Sequence, residues 1–419
     1  MTAIVGILNR RGAVMAADSA VTVGSGDNTK IYNTATKLFP LSRNNPVGVM
    51  IFNSANFMGT PWDLIFKLYR DRKGDQSFYT LEEYAKSFLD YLKSENYFSS
   101  IDSQKRYFTS EISSFYYRVK DEITDIISDM DGEGEEDGAT DEQVVEVTRN
   151  KLSELKGLYS SKGVNPEFED YSITLLRSYG AEEFQEWADL CKEDGFPEEL
   201  RPDWEECFFE YIRSLHYYKG TGVVFVGYGN KDIYPSLMTV YLSGAFDHRL
   251  RFFYSEEEKD TISNDNTACI NPFAQTDVMF TLMQGINPGL ERLVHSAYKE
   301  SISKTQKKML DAMKEAGVPD KTIEIVAKTS TEDIEKEFAD RLEEYQQENF
   351  ISGIVDAVDA FNLEDMANMA ESLVSVTNLQ RHISSSEESV GGPIDVAVIT
   401  RTEGFFWVKH KQWPPKEGI

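Results

Sequence analysis

The amino-acid sequence predicts an α+β protein: a four-layer αββα sandwich in which two antiparallel sheets lie between helical layers, with helical insertions added. Three observations carry that reading. The chain opens on two almost wholly apolar stretches, "TAIVGILN" and "GAVMAADS", parted by a short polar turn. It closes on a second hairpin pattern, "GGPIDVAVITRTEGFFWV". Between the two come a pair of short strands, helices, further strands and further helices, in that order.

The opening stretches are apolar at nearly every position, as expected of a hairpin covered on both faces. With Arg10 and Arg11 as a two-residue loop, Asn9 pairs with Gly12, Ala3 falls opposite Asp18 and Thr2 opposite Ser19. The start of the first strand and Asp18 thereby become neighbours. "TKLFPL" and "VGVMIFN" follow as strands joined by the turn-rich "SRNNP". The next segment is punctuated as a helix, with Thr60 as N-cap, Pro61 in the first turn, Asp63 three residues after the cap, and a stop at Arg72, Lys73 and Gly74. Its apolar positions are Trp62, Ile65, Phe66 and Tyr69.

Residues 75–218 read as polar helices, interrupted near 128–143 by the solvated acidic linker "SDMDGEGEEDGATDEQ". Aromatic clusters there, such as "YFTSEISSFYY", are expected to form a small core of their own. Strand periodicity returns at "GVVFVGYG", "SLMTVYLSG" and "HRLRFFYS", and a helix is expected to start near Thr276. A second charged helical block covers 293–348, an amphipathic helix covers about 355–379, and the closing hairpin turns at 402–404. The organisation predicted is a sandwich core of residues 2–72, 219–292 and 349–410, helical insertions at 75–218 and 293–348, and a C-terminal tail at 411–419.

Composition narrows the function classes. Of 419 residues, 41% are hydrophobic, enough to bury at least one full core. Acidic residues outnumber basic ones by 71 to 43, for a net charge of −28, which argues against a general affinity for nucleic acid or anionic lipid. The three cysteines, Cys191, Cys207 and Cys269, are odd in number and far apart, which fits a reducing compartment rather than a disulfide framework. Neither they nor the five scattered histidines have metal-ligand spacing, so no metal or cofactor is expected. No apolar run approaches the ~20 residues of a membrane helix, and the expected location is the cytoplasm, with no membrane partner.

The wording of three segments adds a resemblance. "TAIVGILNRRGAVMAADSAVTVG", "TKLFPL" and "GGPIDVAVITRTEGF" resemble the proteasome β-subunit and its bacterial relatives, the N-terminal-nucleophile (Ntn) hydrolases. The resemblance covers about half of the chain and leaves out both helical blocks. It implies that a free amino-terminal threonine is the nucleophile, with an aspartate at the end of the second strand and a lysine on the third. By motif these are Thr2, Asp18 in "AADS" and Lys37 in "TKLF".

The chemistry fits those residue types. A threonine hydroxyl is a poor nucleophile at neutral pH and needs a base at hydrogen-bond distance; its own α-amine, with a reference pKa of ~8, can serve directly or through a water. A buried lysine favours the alkoxide by charge, and a carboxylate keeps that lysine in place and ionised. Singly, Thr2 merely permits methionine removal, Asp18 reads as a capping residue and Lys37 as a surface lysine. Their joint occurrence in the family's local wording is what points to catalysis. Lys30 competes with Lys37 but belongs to the glycine-rich "GSGDNTK" loop.

Around this trio the sequence departs from the family. A glycine whose backbone N–H serves as oxyanion donor is expected where Asn53 stands, and a serine where Cys269 stands. An aspartate and a serine are expected where Glu387 and Val390 stand, with Ser389 one position away. Cys269 itself reads as a packed small side chain. Thr22 matches the position whose backbone binds substrate as an added strand, and reads equally as an ordinary turn threonine.

The function implied is a proteasome-like threonine peptidase. It would hydrolyse peptide bonds through Thr2, exposed by removal of Met1, since no propeptide precedes Thr2 in this sequence. The alternatives are an Ntn amidase acting on a small amide and a catalytically inactive Ntn-fold scaffold. The partners implied are a peptide or protein substrate, further copies of the chain in a homo-oligomer of ring-like form, and a regulator contacting the helical insertion.

Overall fold

The first strand, β1 (Ala3–Asn9), turns through Arg10 and Arg11 into β2 (Gly12–Ala17) in the predicted register, with Asn9 facing Gly12 and Ile4 facing Ala17. The Asn9 side chain fixes the turn, accepting from the Arg11 N–H at 2.8 Å and donating to the Val358 carbonyl at 2.8 Å. This computed structural model describes residues 2–23, 30–95, 100–131, 140–215, 220–383 and 391–411.

After β2 come β3 (Val21–Val23), β4 (Lys30–Tyr32), β5 (Leu38–Pro40), β6 (Val47–Phe52) and the two-residue strands β7 (Asn56–Phe57) and β8 (Thr60–Pro61). Among the described residues the α-helices that follow are α1 (Trp62–Lys73), α2 (Leu81–Ser94), α3 (Ile101–Asp131), α4 (Asp141–Ser161), α5 (Ile173–Tyr179), α6 (Ala181–Glu193) and α7 (Arg201–Arg213). Strands β9 (Thr221–Gly227), β10 (Ser236–Phe246), β11 (Arg249–Thr261) and β12 (Ala268–Ala274) precede α8 (Asp277–Gln284), α9 (Pro288–Glu315), α10 (Asp320–Ala327) and α11 (Glu332–Gln346). The chain continues with α12 (Ser352–Ala360), α13 (Leu363–Ile383), β13 (Asp395–Thr400) and β14 (Gly404–Lys409).

The molecule is α+β, with two five-stranded antiparallel sheets ordered β12-β1-β2-β13-β14 and β11-β10-β9-β6-β5. Alternation along the strands explains why β1 is apolar throughout. Ile4 and Leu8 meet Met50, Val224 and Leu237 between the sheets. Ala3, Val5 and Ile7 point the other way, into a cluster with Met279 of α8, Val358 of α12 and Met366, Ala370 and Val374 of α13. On the outer face of the second sheet, Phe39, Val49 and Phe225 pack with Trp62 and Phe66 of α1 and Phe88 of α2. The layers therefore run helix, sheet, sheet, helix.

The aromatic segment of α3 does build a separate core. Phe108, Phe115, Trp204 and Phe208 cluster with Phe246 at the end of β10. Several local expectations are corrected. Thr60 does not cap α1: it pairs with Phe57 in the β7–β8 ladder, and Pro61 occupies the cap position without a side-chain bond. Helix α2 lies within 75–218, yet its face of Leu81, Tyr84, Phe88 and Leu89 belongs to the cover of the second sheet. The helix expected over 355–379 is two helices, because Asn362 starts a new one by accepting from the N–H groups of Glu364 and Asp365. Strand β12 was not foreseen; its Pro272 reads as a breaker, but β12 is an edge strand, where a missing N–H is tolerated. Among the described residues, no helix is long and apolar enough to cross a membrane.

Candidate active site

Asp18 directly follows β2, so the hairpin register brings it beside Ala3: the Asp18 N–H donates to the Ala3 carbonyl at 3.1 Å, and the Ala3 N–H donates to Asp18 Oδ1 at 2.9 Å. Lys37 directly precedes β5 and reaches the same oxygen, Nζ to Oδ1 being 2.6 Å. The other oxygen, Oδ2, accepts from the backbone N–H of Ala20 at 3.2 Å and of Gly391 at 3.1 Å. Each carboxylate oxygen thus has two donors, the pattern a carboxylate acceptor calls for. Burial is nearly complete, with Asp18 at 1% and Lys37 at 4% exposure.

Thr2 sits one residue ahead of Ala3 and is itself buried. Its carbonyl accepts from the Gln275 N–H at 3.1 Å, so its peptide is tied to the segment after β12 on one side and, through Ala3, to Asp18 on the other. Thr2 and Lys37 line one narrow cleft of about 50 Å³, together with Val21, Thr36, Asn53 and Ser54.

The proton affinity of Lys37 reflects a contest. Burial lowers it most, the Asp18 carboxylate raises it, and the cation of Lys411 lowers it further; the net direction is downward from the ordinary lysine value. Lys411 is held by Asp395, the first residue of β13, whose Cα partner is Ala17. Oδ1 of Asp395 also accepts from the Lys411 N–H at 2.9 Å and lies 3.2 Å from His410 Nδ1. A second, largely buried ion pair therefore stands beside the first. Sequence reasoning missed it. Asp395 was visible only as the start of a strand, and nothing in the spacing of Asp395 and Lys411 shows that the chain after β14 folds back onto the end of β13.

Asn53 also lines the cleft. It adopts φ +73, a left-handed conformation in which glycine is at ease and asparagine is tolerated, and its Nδ2 donates to the Gly220 carbonyl at 2.9 Å. Thr22 lies on β3 opposite Ile31, next to the cleft-lining Val21; its side chain is outside the described residues.

Cys269 is not brought to the site. It pairs with Leu8, whereas Ala3 pairs with Ala274, so five residues of strand, about 17 Å, separate it from that end of β1. Cys269 is half-buried; desolvation first and the Asp260 carboxylate second push its thiol pKa up, although Asn271 Nδ2 donates to the sulfur at 3.8 Å, so it behaves as a packing residue. The backbone that meets Thr2 belongs instead to Gln275, and the unforeseen strand β12 is the reason for the misplacement. Glu387 and Ser389 lie outside the described residues.

Comparison with models of known protein families finds no match, and comparison with curated proteins finds none. Among solved structures, an Anbu (Gly-1) mutant from Hyphomicrobium sp. strain MC1 aligns over 98% of this chain and 86% of its own, at 11% identity and a TM-score of 0.30. A likeness of that size carries no argument about family or activity.

Proposed function

We propose that the chain is a hydrolase of the N-terminal-nucleophile class, a proteasome-like threonine peptidase acting through Thr2. One observation supports this above the others: a buried Asp18–Lys37 pair that also grips the N–H of Ala3, at the wall of a cleft shared by Thr2 and Asn53. A buried ion pair is weak support for stability in itself, so its place at the strand start calls for another use.

In this reading, cleavage of the Met1–Thr2 bond frees the Thr2 amine. The hydroxyl oxygen attacks the substrate carbonyl while its proton passes to the α-amine, with Lys37 stabilising the developing alkoxide. The Asn53 backbone N–H faces the tetrahedral oxyanion. The leaving amine takes the proton, an ester on Thr2 remains, and water cleaves it to release the acid and restore the hydroxyl. No metal or cofactor enters these steps. A second reading is the same chemistry on a small amide, since the nucleophile is shared and the fold does not fix the substrate. Assembly into a homo-oligomer would confine such a nucleophile.

The test combines an activity probe for N-terminal threonine, a peptide library and intact mass. Thr2→Ala abolishes turnover and probe labelling, and Thr2→Ser keeps part of both. Lys37→Ala and Asp18→Asn each lower the rate by about 10²- to 10⁴-fold. A bulky residue inserted between Met1 and Thr2 is as damaging as Thr2→Ala. Wild-type turnover by the inserted form sinks the assignment. A wild-type protein that starts at Thr2 and neither labels nor cleaves supports the inactive scaffold instead.

A further inference from the structure

Next to the Thr2 cleft lies a second, larger one of about 440 Å³, and Ser54 lines both. Asn53 leads into it, because its side chain holds the Gly220 carbonyl and the next residue, Thr221, is part of the second wall. The opposite wall is α3, which contributes Ser103, Arg106, Tyr107 and Ser110. Their spacing of three, four and seven residues puts them on one helical face.

That face is fixed on the sheet. Arg251 of β11, itself buried, donates to the Tyr107 hydroxyl at 2.7 Å and to Glu111 Oε2 at 3.0 Å. The Gln104 side chain accepts from the His248 N–H at 2.8 Å. Gly244 of β10 lies under the Tyr107 ring so closely that a Cβ there would come within 2.7 Å of it. The wall is therefore a built surface.

Its chemistry is one-sided. The described lining holds six hydroxyl groups, one amide side chain and one guanidinium, and no carboxylate. The chain as a whole has 71 acidic residues against 43 basic ones, so a cleft free of acids and holding a cation runs against the molecule's charge. Arg106 has no ion-pair partner among the described residues; its Nη2 donates to Ser103 Oγ at 3.0 Å, which holds the side chain near the cleft. The neighbouring Lys105 is committed elsewhere, to Glu183 and the Tyr179 carbonyl. Arg106 and Ser110 also border a neighbouring cleft lined by Lys105, Glu182, Glu183 and Glu186, whose glutamates disfavour an anion there and leave the Ser54 side as the one where a carboxylate meets Arg106.

We propose that this cleft is a substrate subsite for a carboxylate, read by Arg106 and the hydroxyls of Ser103, Ser110 and Ser243. The proposal rests on the hydrolase reading for its substrate and adds to it that the preferred peptide carries an acidic group on the side of the scissile bond that runs past Ser54. A guanidinium with surrounding hydroxyls matches a carboxylate in geometry and charge. The carboxylate is a Glu or Asp side chain or a peptide C-terminus.

The experiment uses the full chain and fluorescent peptides with a single Glu or Gln at successive positions, each as free acid and as C-terminal amide. Binding is measured on Thr2→Ala by polarisation, and hydrolysis on the wild type. At one position Glu is bound about 10- to 100-fold more tightly than Gln, the size of a charge-assisted hydrogen bond. If the free acid alone shows this gain, the site reads a C-terminus. Arg106→Lys keeps part of the preference, and Arg106→Glu reverses it, so that the Gln peptide is bound more tightly than the Glu peptide. Equal binding of Glu and Gln peptides at every position, free acids and amides alike, overturns the subsite, as does a preference that Arg106→Glu leaves unchanged. Cleavage without acidic preference leaves the hydrolase reading standing and removes the subsite. Acidic preference in binding with no cleavage by a wild-type chain that begins at Thr2 does the opposite.

Discussion

At the residue scale the decisive group is Lys37, and its behaviour follows from the order of the effects on it. Burial outweighs the attraction of Asp18, and Lys411 adds repulsion, so the ammonium loses its proton below the ordinary lysine value of 10.5. A lowered native value means that the unfolded chain holds this proton more tightly between the native value and 10.5. The cost to stability is therefore complete below the native value and fades as pH rises through that window. If the charge of Lys37 is needed for turnover, the rate falls on the alkaline side at a pH below 10.5. Lys411→Met removes a repelling cation and leaves the Asp395 carboxylate uncompensated; both changes raise the Lys37 value, so the alkaline limb moves to higher pH, while Lys411→Arg leaves it in place. Competitive acetylation of the Lys37 amine across pH, read by mass spectrometry, reports the same shift without any substrate. An unmoved Lys37 profile in Lys411→Met removes Lys411 from the site. Asp18 was legible in the sequence because a two-residue hairpin loop sets its register against Ala3; Asp395 and Lys411 were not, since their pairing depends on how β13 meets β2 and where the chain goes after β14.

At the element scale, the site depends on the turn that delivers β13. The Gly391 N–H donates to Asp18, and its carbonyl accepts from the Ser19 N–H. Gly392 follows with φ +75, and a Cβ there would lie 2.8 Å from the Asn33 Cβ. Gly392→Ala thus meets both the left-handed backbone penalty and a clash against the segment that leads to Lys37, for a combined loss of about 2–4 kcal/mol in urea titrations. Because Gly391 moves with its neighbour, Asp18 loses a donor and Lys37 acetylates faster. A Gly392→Ala protein as stable as wild type would mean that this turn is loose and does not brace Asp18. The paired glycines could be read from the sequence, as could the strands β5, β6, β9, β10 and β13. Strand β12 could not, because an edge strand carrying a proline looks like a loop until its partner is known. The error over Cys269 is the same error: without that strand, the residue nearest Thr2 cannot be counted.

At the scale of the whole molecule, the two helical regions differ in what they cover. Helix α9 buries no side chain along 28 residues, and α10 buries only Ile323. Replacing residues 293–345 by a short Gly/Ser linker therefore removes little burial from the sandwich, and the urea midpoint of the remainder should stay close to that of the full chain. Residues 80–215 are another matter. Leu81, Tyr84, Phe88 and Leu89 of α2 are buried against the second sheet together with Phe66 and Phe225. At ~1.5–3 kcal/mol each they represent roughly 6–12 kcal/mol, comparable with the whole margin of a folded domain, ~5–15 kcal/mol. Deleting 80–215 should abolish cooperative unfolding, whereas a deletion that starts after α2, at residue 96, should preserve the sandwich while removing the aromatic core around Phe115 and Trp204. That second deletion also strips the cover from Phe246 and the partners of Arg251, so it should fold with a lowered midpoint instead of an unchanged one. Calorimetry of the full chain would then show the aromatic core as a transition absent from the deletion starting at 96. If the deletion of 80–215 unfolds as sharply as the deletion of 96–215, α2 belongs to the helical insertion and not to the layer that backs the second sheet.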